Sequence, residues 1–104
     1  MALLTVQDNG GLVFSAADTL GDSFVNNVKR KILFKNEDAS AKTVTITAQN
    51  ECSQGFLHDI TIAVPAGETF LQDTIESKYY NDENSKIQMT YSDVTALSVA
   101  IISF

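Results

Sequence analysis

The chain has 104 residues and a formal net charge of −6, which predicts one small acidic domain. Hydrophobic residues account for 44% and charged residues for 19%, a balance typical of a folded domain rather than a disordered chain. The acidic charge argues against nucleic acid as a partner, because that binding relies on Lys and Arg. A single cysteine, Cys52, excludes an internal disulfide and a metal site made of four cysteines.

Neither a membrane segment nor a secretion signal is expected. No apolar run approaches the length of about 18 residues that a spanning helix needs. Residues 1–8 lack the basic and long apolar regions of a signal peptide. We therefore expect synthesis in a cytoplasm and no membrane partner.

Residues 1–28 are expected to form an N-terminal arm that includes a first short strand, placed at residues 12–14. The apolar residues between 20 and 28 have helical spacing, but glycine and asparagine residues interrupt it. A short helix is therefore the weaker alternative to an extended arm anchored by Phe14 and Phe24.

Residues 29–104 are expected to form the core of the domain, because their apolar and polar residues alternate with the two-residue period of strands. The predicted strands cover residues 30–36, 42–49, 57–64, 69–75, 86–91 and 96–104. Turn signals separate them at intervals of about 8–12 residues, a spacing typical of a sandwich or jelly roll. The pattern predicts a single all-β antiparallel sandwich, jelly-roll-like, with about seven or eight strands.

Two short connections carry further topological expectations. Residues 37–41 read as a polar turn, which predicts a hairpin between the strands at 30–36 and 42–49. Pro65 and Gly67 have the chemistry of a tight turn, because proline presets φ and glycine accepts positive φ. Residues 69–75 are then the return strand.

A basic stretch near residue 30 is the first candidate interface. Four of the seven basic residues lie there: Lys29, Arg30, Lys31 and Lys35. Two interpretations stay open, a solvated edge strand and a surface that docks against an acidic neighbour.

The C-terminal strand is the second candidate interface. Residues 101–104 carry apolar side chains toward both faces, and no charge follows Asp93. An exposed final strand would normally be blunted by charge. The strand is therefore either central in its sheet or covered by another chain, with Ile102 and Phe104 supplying the burial and strand addition supplying hydrogen bonds.

Catalytic and metal chemistry is not expected. His58 and Asp59 are adjacent on a predicted strand, so their side chains point to opposite faces and cannot orient each other toward Cys52. Residues 81–85 supply oxygen ligands but depart from the calcium-loop pattern. We predict no enzyme, no cofactor and no metal. No Trp is available as a stacking platform for a sugar, and Tyr79, Tyr80 and Tyr91 are expected to be core or rim aromatics.

Several segments occur in a distinctive order: 15–18 (SAAD), 21–22 (GD), 32–36 (ILFKN), 42–46 (KTVTI), 64–69 (VPAGET), 80–82 (YND), 87–92 (IQMTYS) and 94–100 (VTALSVA). In this order they resemble small virion proteins of tailed bacteriophages, encoded near the major capsid protein. The resemblance covers Ser15 to Phe104. It departs from the family at residues 29–31, where relatives carry a small or neutral run.

The resemblance implies a β-sandwich or jelly-roll domain that decorates or cements the outside of the phage head. Such a protein is made in the host cytoplasm and ends on the capsid surface. Its implied partners are the major capsid protein and copies of itself, as a dimer or trimer. Two other functions stay open: a neck, tail-adaptor or head-fibre-base component of the virion, and a glycan-binding adhesion module.

Overall fold

The fold is a sandwich of two β-sheets, seen in a computed structural model that describes residues 2–4, 6–7, 13–26, 30–51 and 53–103. Within these residues lie ten strands and one short helix. They are β1 (Ala2–Leu3), β2 (Val6–Gln7), β3 (Ser15–Ala16), β4 (Asp22–Val25), β5 (Arg30–Asn36), β6 (Lys42–Ile46), β7 (Ile60–Val64), β8 (Thr69–Gln72), α1 (Ser77–Tyr80), β9 (Lys86–Tyr91) and β10 (Leu97–Ser103).

Sheet A has the strand order β1-β4-β9-β6-β7, and sheet B has the order β2-β10-β5-β8, with β3 also paired to β10. All pairs are antiparallel except those of the two-residue strands β1 and β2, which run parallel to β4 and β10. The predicted all-β antiparallel sandwich is thus confirmed.

Alternating burial builds the core between the sheets. Along β5 the side chains of Ile32 and Phe34 are fully buried, while the residues between them are only half-buried. Both sheets contribute to the same apolar cluster. Its fully buried members are Phe24, Ile32, Phe34, Val44, Ile46, Val64, Ile87, Met89 and Ile101.

The predicted hairpin between the strands at 30–36 and 42–49 is wrong. β5 lies in sheet B between β10 and β8, whereas β6 lies in sheet A between β9 and β7. A five-residue turn is long enough to cross the spacing of about 10 Å between packed sheets, so its length fits a crossing as well as a hairpin. The side-chain amide of Asn36 secures this corner by donating to the carbonyl oxygens of Ser40, Val64 and Pro65.

The turn after β7 also changes sheets. Gly67 has φ +73, the positive value that the turn requires, and the chain then enters β8. β8 pairs with β5 rather than with β7, so the expected return strand belongs to the opposite sheet.

The N-terminal arm covers one side of the sandwich. β1 extends sheet A beside β4, while β2 and β3 pair with successive parts of β10 in sheet B. The short strand expected at 12–14 is not present at residues 13–14, and residue 12 lies outside the described residues; a two-residue strand follows at Ser15–Ala16, and residues 22–25 form a strand rather than a helix. Phe24 is fully buried, as expected of an anchor, while Phe14 is half-buried with the Lys35 ammonium 5.6 Å from its ring centroid.

We predict that truncating a side chain of β5 destabilises the fold far more on the inner face than on the outer face. Phe34→Ala should lower the free energy of unfolding by about 3–5 kcal/mol, because it opens a cavity between the sheets. Leu33→Ala, its neighbour on the outer face, should cost about 1 kcal/mol or less. Urea denaturation of the two variants measures the difference. Equal losses would contradict the alternation described for β5.

Candidate functional site

The outer face of sheet B brings together three of the six interface residues predicted from sequence, Lys31, Lys35 and Ile102. β5 and β10 pair along their whole length, from Leu97 opposite Asn36 to Ser103 opposite Arg30. Ile102 therefore lies directly opposite Lys31 on the outside of the sheet. Two separate sequence predictions, the basic stretch and the C-terminal strand, thus meet on one surface.

The remaining predicted interface residues divide into two groups. Lys29 and Phe104 lie outside the described residues. Arg30 lies at the end of β5, where Nη1 donates to Ser103 Oγ at 2.8 Å and Nε donates to the Val25 carbonyl at 3.4 Å. These bonds give Arg30 a structural task in joining the end of β5 to β10 and β4.

Neither candidate strand is an edge strand. β5 lies between β10 and β8, so the basic stretch is not the solvated edge strand considered above. β10 is central, because β5 covers one side and β2 and β3 cover the other. Ile101 is fully buried in the core, which leaves Ile102 as the outward-facing apolar residue of this strand's end.

Two leucines complete the outer face of sheet B. Leu33 on β5 pairs in register with Leu71 on β8, and Leu71 is 51% exposed. Lys31 and Lys35 flank them, each 3.9 Å from an acidic oxygen, of Asp73 and Glu37 respectively. Sequence reasoning placed Leu33 on the outside but missed Leu71, because a single leucine in a short strand gives no sign of which strands will flank it.

Two cavities lie at one end of the sandwich beside the loop that follows β6, and Asn50 lines both. The smaller, of about 300 Å³, lies between this loop and helix α1, and the larger, of about 560 Å³, lies between the loop and residues 81–84. We refer to the two together as the groove. The larger cavity is lined by polar side chains, including Gln49, Glu83 and Asn84. The smaller one is lined by Asn50, Phe56, His58, Glu76, Tyr79 and Tyr80.

Hydrogen bonds hold the loop against α1. The Tyr79 carbonyl accepts from the backbone N–H of Gln49 at 2.8 Å and of Asn50 at 3.1 Å. The Asn50 amide donates to the Lys78 carbonyl at 3.0 Å, and the Tyr80 hydroxyl donates to the His58 carbonyl at 2.8 Å. The helix was not predicted, because its four residues are too few to show a helical period.

The residues considered for catalysis have other tasks. The Asp59 carboxylate accepts the backbone N–H of Ala48 at 2.8 Å, which fastens the loop before β7. His58 lies edge-on to Phe56, with ring centroids 6.2 Å apart, in the aromatic cavity. Cys52 lies outside the described residues.

Residues 81–85 form a turn organised by Asp82. Its Oδ1 accepts the backbone N–H groups of Asn84 and Lys86, and its Oδ2 accepts from the Gln88 amide at 2.6 Å. These hydrogen bonds lower the pKa of Asp82, that from Lys86 most strongly. Among the described residues, no group of three or more His, Cys, Asp and Glu is placed to hold a metal ion.

The opposite end of the sandwich is closed by Lys42, whose side chain is 1% exposed. Its ammonium donates to Asp38 Oδ2 at 2.6 Å and to Asp93 Oδ2 at 2.7 Å, across two connections between the sheets. The bond from Lys42 lowers the pKa of Asp93 to about 2, and the same contact lowers the pKa of Asp38. The cluster is structural, because its charges satisfy one another.

A buried carboxylate, that of Asp22, lies at the start of β4. Asp22 Oδ2 accepts the Tyr91 hydroxyl at 2.6 Å, while Oδ1 has no hydrogen-bond partner in the described part of the chain. Burial raises the pKa of Asp22 above its ordinary value, against the opposing effect of the bond from Tyr91. Burial and the neighbouring carboxylate raise the pKa of Tyr91 well above 10.0. Tyr91 thus remains a donor at every ordinary pH.

Comparisons with protein-family models, with curated proteins and with solved structures find no match for this chain. The resemblance to phage virion proteins stays a prediction. In the described part of the chain, no helix is long and apolar enough to cross a membrane.

We predict that the ion pairs of Lys42 make the free energy of unfolding depend on pH in the acid range. The pKa of Asp93 is about 2 in the folded chain against an ordinary 3.8, so its pairing stabilises the fold above about pH 4 and is lost as the pH falls toward 2. Lys42→Met should lower stability at neutral pH and flatten this acid-dependent decline. Urea unfolding across that pH range measures both effects.

Lys35→Met is the matched control, because Lys35 lies on the outer face and its nearest acidic oxygen is 3.9 Å away. Its stability should follow the pH profile of the unaltered chain. A profile for Lys42→Met that runs parallel to that of the unaltered chain would contradict the role given to Lys42.

Proposed function

We propose that this chain is a structural protein of a tailed-phage virion, a decoration or cement protein bound to the major capsid protein on the outside of the head. The observation that carries the proposal is the outer face of sheet B. There Leu33, Leu71 and Ile102 present apolar side chains on three adjacent strands, β5, β8 and β10, away from the core. The resemblance of the sequence to virion proteins supports the choice of partner.

Binding through this face is weak for one copy and strong for many. Burying the exposed half of Leu71 contributes about 1 kcal/mol, and the half-buried Leu33 and Ile102 add less. A shell presents the same site repeatedly, so contacts between neighbouring copies convert weak binding into avidity.

Charge on the same face favours an acidic partner surface. Lys31 and Lys35 lie at either side of Leu33, and their pairing with Asp73 and Glu37 is loose, at 3.9 Å in each case. An exposed pair of this kind contributes little to stability, so Lys35 can turn to a docked carboxylate, while Lys31 adds positive charge to the same face. The net charge of −6 also disfavours a position against packaged DNA.

Self-association is supported by the two open sheet edges. In the described part of the chain β7 has only β6 as a neighbour and β8 only β5, while the arm covers the opposite side. An open edge offers backbone hydrogen bonds to a second copy. The strand addition at β10 that was expected from the sequence is excluded because both sides of β10 are paired, and we propose β7 and β8 as the strands that a second copy would extend.

The copy number per virion tests the proposal. Quantitative mass spectrometry of purified particles should give an amount comparable with that of the major capsid protein. A copy number matching that of components found at only one vertex of the head would instead identify a neck or tail component. Absence from the particle would contradict both.

We predict that Leu71→Ser weakens binding to particles that lack this protein by about fivefold, because about 1 kcal/mol of apolar burial is lost. Sedimentation of the purified chain with such particles measures the change. Leu20→Ser is the matched control, since Leu20 is also an exposed leucine (72%) but lies in the turn before β4. Equal weakening by both variants would overturn the assignment of the face.

A further inference from the structure

The groove has the size of a ligand site, and hydrogen bonds hold the loop that forms part of its wall. Its two cavities, of about 560 and 300 Å³, fall within the range of about 300–1,000 Å³ found for small-molecule sites. Because the loop backbone is bonded to the Tyr79 carbonyl, the walls are in place before anything binds. A preformed site spends less free energy on ordering when a ligand arrives.

Aromatic rings form one part of the groove. Phe56 is 61% exposed although it is a large apolar side chain, and it contacts His58 edge to face. Tyr79 meets Tyr80 in the same manner, with ring centroids 6.5 Å apart. Edge-to-face packing of this kind holds each ring in place, so the rings can receive the apolar C–H face of a flat ligand.

Amides and carboxylates form the other part. Gln49 and Asn84 offer both donors and acceptors, and Glu83 offers two acceptors. In the described part of the chain the side chains of Asn84 and Glu83 make no hydrogen bond within the protein. Planar groups of this kind match neighbouring hydroxyl groups, which present a donor and an acceptor at the same spacing.

The charge of the lining narrows the ligand class. The described residues that line the groove include Glu76, Asp82 and Glu83 but no lysine or arginine, and the neighbouring Lys78 ammonium lies over the Tyr79 ring, 5.3 Å from its centroid. This excess of carboxylates disfavours phosphates and acidic sugars. Only Gln88 among them lies in a strand, and that strand is paired on both sides. A peptide would find no free edge there to extend.

We infer that this groove binds a neutral carbohydrate, with a sugar ring against Phe56 and its hydroxyl groups on Asn50, Glu83 and Asn84. The inference does not rest on the proposed function. It assigns a second surface to the chain, separate from the outer face of sheet B. A decoration protein with such a site would carry a sugar-binding surface as well as a docking face.

The test is a titration of the ¹⁵N-labelled full chain with cellohexaose, maltohexaose and chitohexaose, and with an oligogalacturonate of equal length. At least one neutral sugar should shift amide resonances at residues 49–50, 56–58 and 76–84, while the anionic sugar should shift none of them. Phe56→Ser should raise the dissociation constant about tenfold, and Asn84→Ala by about three- to tenfold.

Leu71→Ser is the control, because Leu71 lies on the outer face of sheet B and should leave sugar binding unchanged. Phe56→Ser should in turn leave particle binding unchanged, so the two variants test the sugar-binding groove and the docking face separately. The inference is overturned if no neutral sugar shifts the groove residues, if the anionic sugar binds there instead, or if cationic peptides compete more strongly than any sugar. Phe56 is 61% exposed, so its replacement should leave the core intact, and a dispersed spectrum of the variant verifies this.

Discussion

The antiparallel pairing of β5 with β10 is the constraint on which the rest of the structure depends. It pairs Arg30–Asn36 with Leu97–Ser103, over seven residues of each strand. Side chains alternate along both strands, so one register sends Ile32 and Ile101 into the core and places Lys31 and Ile102 outside. A shift by one residue would invert both faces and expose the core residues. The core and the proposed docking face therefore have a single origin.

The two ends of the sandwich differ in what they offer. At one end the buried Lys42 side chain joins two crossing connections through ion pairs with Asp38 and Asp93. At the other end the chain between β6 and β7 is longer, and its bonds to α1 support a groove lined with exposed rings and unpaired polar groups. The stabilising Lys42 cluster and the proposed sugar-binding groove thus lie at opposite ends of the domain. The outer face of sheet B, the proposed docking face, lies between these two ends.

From residue 30 onward the strand positions could be predicted from the sequence, whereas the four strands before residue 30 and the pairing of the strands could not. The bounds at 30–36 and 86–91 agree with the structure, because alternation is a local property of each segment. The hairpin after β5 was wrong, since a turn of five residues fits a crossing between sheets equally well. Lys31 and Ile102 were singled out separately, and only the register shows that they face each other. The groove was missed because Phe56 and Tyr79, distant in sequence, are brought together by backbone bonds of the loop.

The central claim is that the outer face of sheet B is the surface by which this chain docks on a phage head. A cryo-electron microscopy reconstruction of the virion tests it most directly. The account predicts density for this domain on the outside of the shell, with Leu33, Leu71 and Ile102 against the major capsid protein and the groove turned toward solvent. Density in which that face points to solvent, or a shell without this domain, would contradict the account.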